Sequence, residues 1–184
     1  MEERKEELRD AIIGFTDESS MECNPKKRRV LGCKKIKAET TRKRKTIFGF
    51  MSLNGKDVAM MSNTSKAKDF VEFMRCVRKE NPEKRIVMMV DNAKIHKAKL
   101  TIEEAKELDI VLVYLPPYSP DLNPIEFEWK DVKRELAKFL NFDEVVRNAK
   151  NIAEGLMKER KYSYTRSWLE KFGECIGIVQ GLIE

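Results

Sequence analysis

Three acidic residues of this chain stand where an apolar segment gives way to a polar one. Asp17 follows the run AIIGF (Ala11 to Phe15), Asp91 follows RIVMMV (Arg85 to Val90), and Glu126 lies in LPPYSPDLNPIEFEW (Leu115 to Trp129). Carboxylates are hard oxygen ligands, so two of them emerging from adjacent strands would lie within reach of a shared divalent cation. A strand must also end somewhere, and Asp is a common turn and cap residue, so Asp91 can equally cap a helix beginning near Ala93. Glu126 has a local reading of its own. Asn123 suits an N-cap, Pro124 the first helical position and Glu126 the third, where it can complete a capping box. Ile125, Trp129, Val132 and Leu136 form the apolar stripe of that helix, which puts Glu126 at the margin of the core. Four prolines within nine residues, Pro116 to Pro124, make the approach to it rigid.

The elements that would position these acids alternate along the chain. Residues 3 to 10 read as a short charged helix or linker. Thr46 to Leu53 and Asp57 to Met61 read as strands, with Val30 to Cys33 before them, and Asn54-Gly55 is the strongest hairpin signal. From Lys66 the pattern is helical, with Phe70, Phe73, Met74 and Val77 on one face until Asn81-Pro82 stops it. RIVMMV and IVLVYL (Ile110 to Leu115) have the length and continuous hydrophobicity of strands buried on both faces, and KLTIEEAKEL between them reads as a helix. The chain from Pro124 on is helical, with breaks near Asn141 and around Lys161 to Ser163. Antiparallel strands followed by a strand, helix, strand, helix series predict an α/β fold, a mixed sheet covered by helices. Chemistry in such sheets gathers at the carboxyl ends of the strands, which again selects Asp17 and Asp91.

Composition narrows the classes. The 184 residues are enough for one domain with a real core, and 41% hydrophobic residues can supply it. A net charge of +6 favours polyanionic partners. The sequence has no apolar run near the roughly 20 residues of a membrane helix, and its acidic N-terminus does not suit a secretory signal, so a soluble, cytoplasmic protein is expected. Cys23, Cys33, Cys76 and Cys175 are scattered and His96 is the only histidine, which argues for reduced thiols and against structural zinc.

VDNAKIHKA followed by LPPYSPDLNPIEFEW resembles the signature of the mariner-type DDE transposases and their prokaryotic insertion-sequence relatives. Asp91 and Glu126 are separated by 34 residues, the spacing typical of that superfamily, and FTDES is similar to its first catalytic strand. The resemblance covers about residues 11 to 140. It implies a ribonuclease H-like, five-stranded mixed sheet flanked by helices, with extra C-terminal helices. It also implies that Asp17, Asp91 and Glu126 hold two divalent ions, Mg²⁺ with Mn²⁺ as a substitute, for cleavage of DNA at transposon ends and strand transfer into a target. Asn92 and His96 belong to the second motif and would orient the metal site or contact DNA, although His96 is as readily a structural histidine; Glu18 is the alternative ligand if the strand register differs by one. DNA is the implied partner, with a homodimer in the active complex.

The segment Asn24 to Lys45 carries Lys26, Lys27, Arg28, Arg29, Lys34, Lys35, Arg42, Lys43, Arg44 and Lys45 against a single acid, Glu39. It reads either as a sequence-independent DNA track or as a solvated hairpin whose charged edges discourage aggregation. The expected organisation is a linker over 1–10, the catalytic domain over 11–140, and helices over 141–184 packed on it. Only about ten residues precede the first strand, which leaves no room for the helix-turn-helix module of a full transposase. The chain then reads as the second product of a split gene, with a separately encoded helix-turn-helix protein as its partner, or as a truncated form or a remnant. Two other readings compete: a catalytically idle DNA-binding remnant, which retention of all three acids argues against, and a ribonuclease H-type hydrolase, which the Pro-rich loop and acid spacing disfavour.

Overall fold

The computed structural model describes residues 11–22, 43–117, 123–139 and 141–159. Its sheet has five strands: β1 (Ile12–Glu22), β2 (Arg44–Ser52), β3 (Val58–Ser62), β4 (Ile86–Val90) and β5 (Ile110–Tyr114). They lie in the order β3-β2-β1-β4-β5, with β1, β2 and β3 antiparallel to their neighbours and β1, β4 and β5 parallel. Four helices accompany it among the described residues: α1 (Ala67–Glu80), α2 (Lys99–Glu107), α3 (Ile125–Leu136) and α4, residues 142–159.

Each face of the sheet buries its own cluster. On one, Phe48, Phe50, Ile86, Met88 and Val90 meet Phe70, Phe73, Met74 and Val77 of α1 and Ala105 of α2. The Phe48 and Phe73 rings stack at 5.6 Å between centroids. On the other, Phe15, Ile47 and Met89 meet the α3 stripe Ile125, Trp129, Val132 and Leu136, as well as Val145, Ala149, Ala153 and Met157 of α4. Every residue of β4 is buried, as expected of a central parallel strand covered on both sides. Each phenylalanine buried in this way contributes roughly 1.5–3 kcal/mol over its exposed state. No helix among the described residues is long and apolar enough to cross a membrane.

The expected end of the first strand is corrected here, whereas the hairpin expected at Asn54-Gly55 is present as the antiparallel pair β2–β3. Asp17 does not close β1; the strand continues to Glu22 because β2 keeps pairing with it through Glu22 opposite Arg44. What ends near Asp17 is the neighbour β4, whose last pairing with β1 is Phe15 opposite Met89. Asn54-Gly55 lies where the chain turns between β2 and β3, but the link is five residues long and no described glycine has positive φ, so this is not a two-residue primed turn. Instead the Asn54 side chain reaches across to β1, accepting from Ile13 N (2.9 Å) and donating to Ala11 O (2.8 Å). Gly55 is required for closeness: a Cβ there would lie 2.7 Å from both Asn81 Oδ1 and Ile12 Cγ2. The expected strand Val30 to Cys33 and the break around Lys161 to Ser163 lie outside the described residues.

Candidate active site

Asp17 and Asp91 each stand two residues beyond the Phe15–Met89 pair of neighbouring parallel strands, so the register brings both to the same end of the sheet. Side chains alternate across a strand, and Asp17 shares its face with Phe15, toward α3. There the Trp129 indole Nε1 donates to Asp17 Oδ2 at 2.9 Å. Burial, reinforced by the negative charges of Glu126 and Glu18, pushes the Asp17 carboxyl up to about 7 despite that bond. Glu126 is therefore close enough to Asp17 to act on its charge.

Asp91 is held from the other side. Its Oδ1 accepts from Ala93 N (2.9 Å) and lies 2.7 Å from His96 Nδ1. The His96 ring is fully buried, packs on Phe70 at 4.5 Å between centroids, and turns Nε2 toward Glu18 Oε2 at 3.5 Å. Burial opposes a charge on His96, yet the bonds to Asp91 and Glu18 outweigh it and raise the imidazole to about 9. The same His96 bond is the main cause holding Asp91 below the ordinary carboxylate value. Glu18 thus points to the α1 face, opposite Asp17, and serves as the counter-charge of His96. Asn92 donates its amide to Leu115 O, tying the exit of β4 to that of β5.

Glu126 is exposed in the first turn of α3, whereas the stripe beside it is buried. The capping expectation is corrected: Pro124 occupies the cap, Glu126 is the second helical residue, and no side chain caps the helix. Asn123 uses its amide on Thr16 O of β1 (3.4 Å) instead, so it anchors the loop to the sheet beside Asp17. A buried anchor site competes with the cap for the same side chain, and the anchor wins because Asn123 is only 4% exposed.

The acids do not form a closed ligand cage. Among the described residues no group of three or more His, Cys, Asp or Glu is assembled to hold a metal. The donor set still fits a hard divalent cation: carboxylate oxygens only, with Asp17 and Glu126 repelling each other, which a cation would offset. Two residues that sequence reasoning did not assign to the site stand beside Asp17. Trp129 read as part of an apolar stripe, and Gly49, directly opposite Asp17, had no periodic signal at all. Of the basic segment, Lys43, Arg44 and Lys45 are described, with Arg44 paired to Glu22 at 3.5 Å; Lys26, Lys27, Arg28, Arg29, Lys34, Lys35 and Arg42 lie outside the described residues. Cys76 is a free, half-buried thiol beside Met60 Sδ at 3.8 Å.

Similarity to solved structures follows from this fold. The chain superposes on the crystal structure of the Mos1 strand transfer complex with a TM-score of 0.63 at 18% identity, covering 96% of this chain and 56% of that one. The Mos1 mariner paired end complex with Mn gives 0.61 at 18% identity, covering 91% and 56%. The Mos1 transposase catalytic domain with raltegravir and Mg gives 0.61 at 17% identity, covering 95% and 86%. This chain thus spans little more than half the length of the Mos1 chains in the two complexes. No curated protein sequence matches it. The shared architecture is the ribonuclease H-like mixed sheet flanked by helices. A family profile described as DDE superfamily endonuclease matches residues 13–147, a span that takes in Asp17, Asp91 and Glu126, and the chain belongs to that superfamily.

Proposed function

We propose that the chain is the catalytic domain of a DNA transposase, cleaving phosphodiester bonds at transposon ends and transferring the strands into target DNA. The observation that carries this reading is the coincidence of three positions: Asp17 and Asp91 at equal steps past the last β1–β4 pair, and Glu126 acting electrostatically on Asp17. The Mn and Mg of the Mos1 structures support a divalent cofactor. Asp17, Asp91 and Glu126 would hold two such ions, Mg²⁺ or Mn²⁺, which when bound activate a water or 3′-hydroxyl and stabilise the leaving oxygen.

The chain's own residues prepare that site. His96 holds the Asp91 carboxyl below the ordinary carboxylate value and fixes one of its oxygens. Asn123 fastens one end of the Pro-rich loop to Thr16 of β1, and Asn92, just past β4, holds the other end through Leu115 O, so the helix carrying Glu126 starts at a set place. Glu18 balances His96 within the fold. The basic segment with Lys43, Arg44 and Lys45 would track the DNA backbone, and a second copy and a separate end-recognition protein would complete the active assembly.

The test is nicking and strand joining of supercoiled DNA by the purified chain with Mg²⁺ or Mn²⁺. Activity should fall to background in Asp91→Asn. The reading fails if the unmodified chain binds divalent metal no more tightly than a variant substituted at Asp17, Asp91 and Glu126 together.

A further inference from the structure

Asp17 and Gly49 are directly opposed across the β1–β2 ladder, so their Cα substituents project from the same face. Gly49 has none. A Cβ at that position would lie 2.7 Å from Trp129 Cη2, 2.8 Å from Met157 Cε and 2.9 Å from Ile125 Cδ1. The missing side chain is therefore the space into which the Trp129 ring settles, flat enough on the sheet for Nε1 to reach Asp17 Oδ2 at 2.9 Å. The ring is 2% exposed, so the donor of this part-buried bond is shielded from water. Trp129 also stands three residues after Glu126 on α3, one helical turn away, so a single side chain joins the strand of one acid to the helix of another.

We propose that Trp129, seated by Gly49, is a positioning residue that orients the Asp17 carboxylate for divalent metal and keeps α3 in register with β1. The inference rests on the metal-binding reading of Asp17. A tryptophan needed only for packing would gain from burying its ring anywhere in the cluster; here the polar edge of the ring is spent on the half-buried Asp17 carboxylate. A carboxylate with one oxygen held by a directional N–H has little freedom about its terminal torsion, so its coordinating direction is set before a cation arrives.

The test measures Mg²⁺ binding to the full chain by calorimetry for the unmodified protein, Trp129→Phe and Gly49→Ala, with a thermal melt of each. Phenylalanine keeps the ring in the core and removes only the donor; alanine keeps the donor and displaces it. Both variants should melt cooperatively and bind Mg²⁺ about tenfold more weakly. A folded Trp129→Phe protein that binds Mg²⁺ as tightly as the unmodified chain overturns the proposal. A second readout keeps Trp129 in place: its indole N–H resonance, assigned as the one missing from the Trp129→Phe spectrum, should shift on Mg²⁺ addition and in Asp17→Asn. If the chain binds Mg²⁺ and this resonance is unmoved in both experiments, the positioning role falls while the metal reading stands. If the unmodified chain takes up no Mg²⁺, the metal reading itself falls and takes the proposal with it.

Discussion

His96 acts on two carboxylates at once, and its burial makes each contact consequential. With Nδ1 on Asp91 and Nε2 toward Glu18, the imidazolium lies between a strand-end acid and a mid-strand acid. His96→Gln should keep much of the volume but leave Glu18 facing the Phe70 side without a cation. Breaking a fully buried pair costs about 3–5 kcal/mol; the Glu18 side chain retains 21% exposure, so a loss nearer 2 kcal/mol is expected from chemical denaturation. A variant as stable as the unmodified chain would show that the two bonds offset only their own desolvation. In sequence His96 is one polar residue within a motif, and nothing in its neighbours reveals that Glu18, 78 positions earlier, is its partner.

At the scale of elements, α1 shows how a helix start is specified from outside the helix. Asp69, in its first turn, accepts from Ser62 Oγ (3.0 Å), from the Thr64 hydroxyl and from Lys66 N (2.9 Å). Burial disfavours the charge on Asp69, but these donors outweigh it and hold the carboxyl below its ordinary value of 3.8. A depressed folded value means stability that is present above pH 3.8 and is lost as pH falls through the lower folded value. Asp69→Asn should therefore cost about 1–2 kcal/mol at pH 7, and the gap to the unmodified chain should close in thermal melts carried into strong acid. A gap independent of pH would mean that the carboxylate charge contributes nothing. The start of α3 follows the opposite logic, since Asn123 leaves its helix uncapped in order to hold Thr16.

For the whole molecule, the question is whether α4 belongs to the same cooperative unit as the sheet. Asn141 caps it through Glu144 N at 2.9 Å, and its buried residues Val145, Ala149, Ala153 and Met157 recur every four positions against the cluster containing Phe15 and Trp129. The two alanines let the helix lie close, and Met157 reaches the space over Gly49. Met157→Ala should lower stability by roughly 2–5 kcal/mol while urea unfolding stays a single transition by both circular dichroism and Trp fluorescence. Separate transitions for the two probes would show α4 detaching on its own.

By itself the sequence determined the order of elements, because periodicity and turn residues are local: α1 on Phe70, Phe73, Met74 and Val77, its stop at Asn81-Pro82, and the doubly buried strand β4. The matching expectation for β5 is corrected, since it lies at the edge of the sheet with Val111, Leu112 and Val113 only half-buried and Tyr114 exposed. It also marked Asp17, Asp91 and Glu126, since two of them follow apolar runs and the third sits in a proline-rich motif. Only the tertiary structure decided how these residues are used. The continuation of β1 past Asp17 depends on a partner strand more than twenty residues away, and the choice of Asn123 between cap and anchor depends on Thr16. The same holds for Glu18 against His96 and for Trp129 over Gly49 against Asp17. Each is a contact between residues far apart in the chain, whose strength comes from burial, and burial is a property of the assembled layers rather than of any segment.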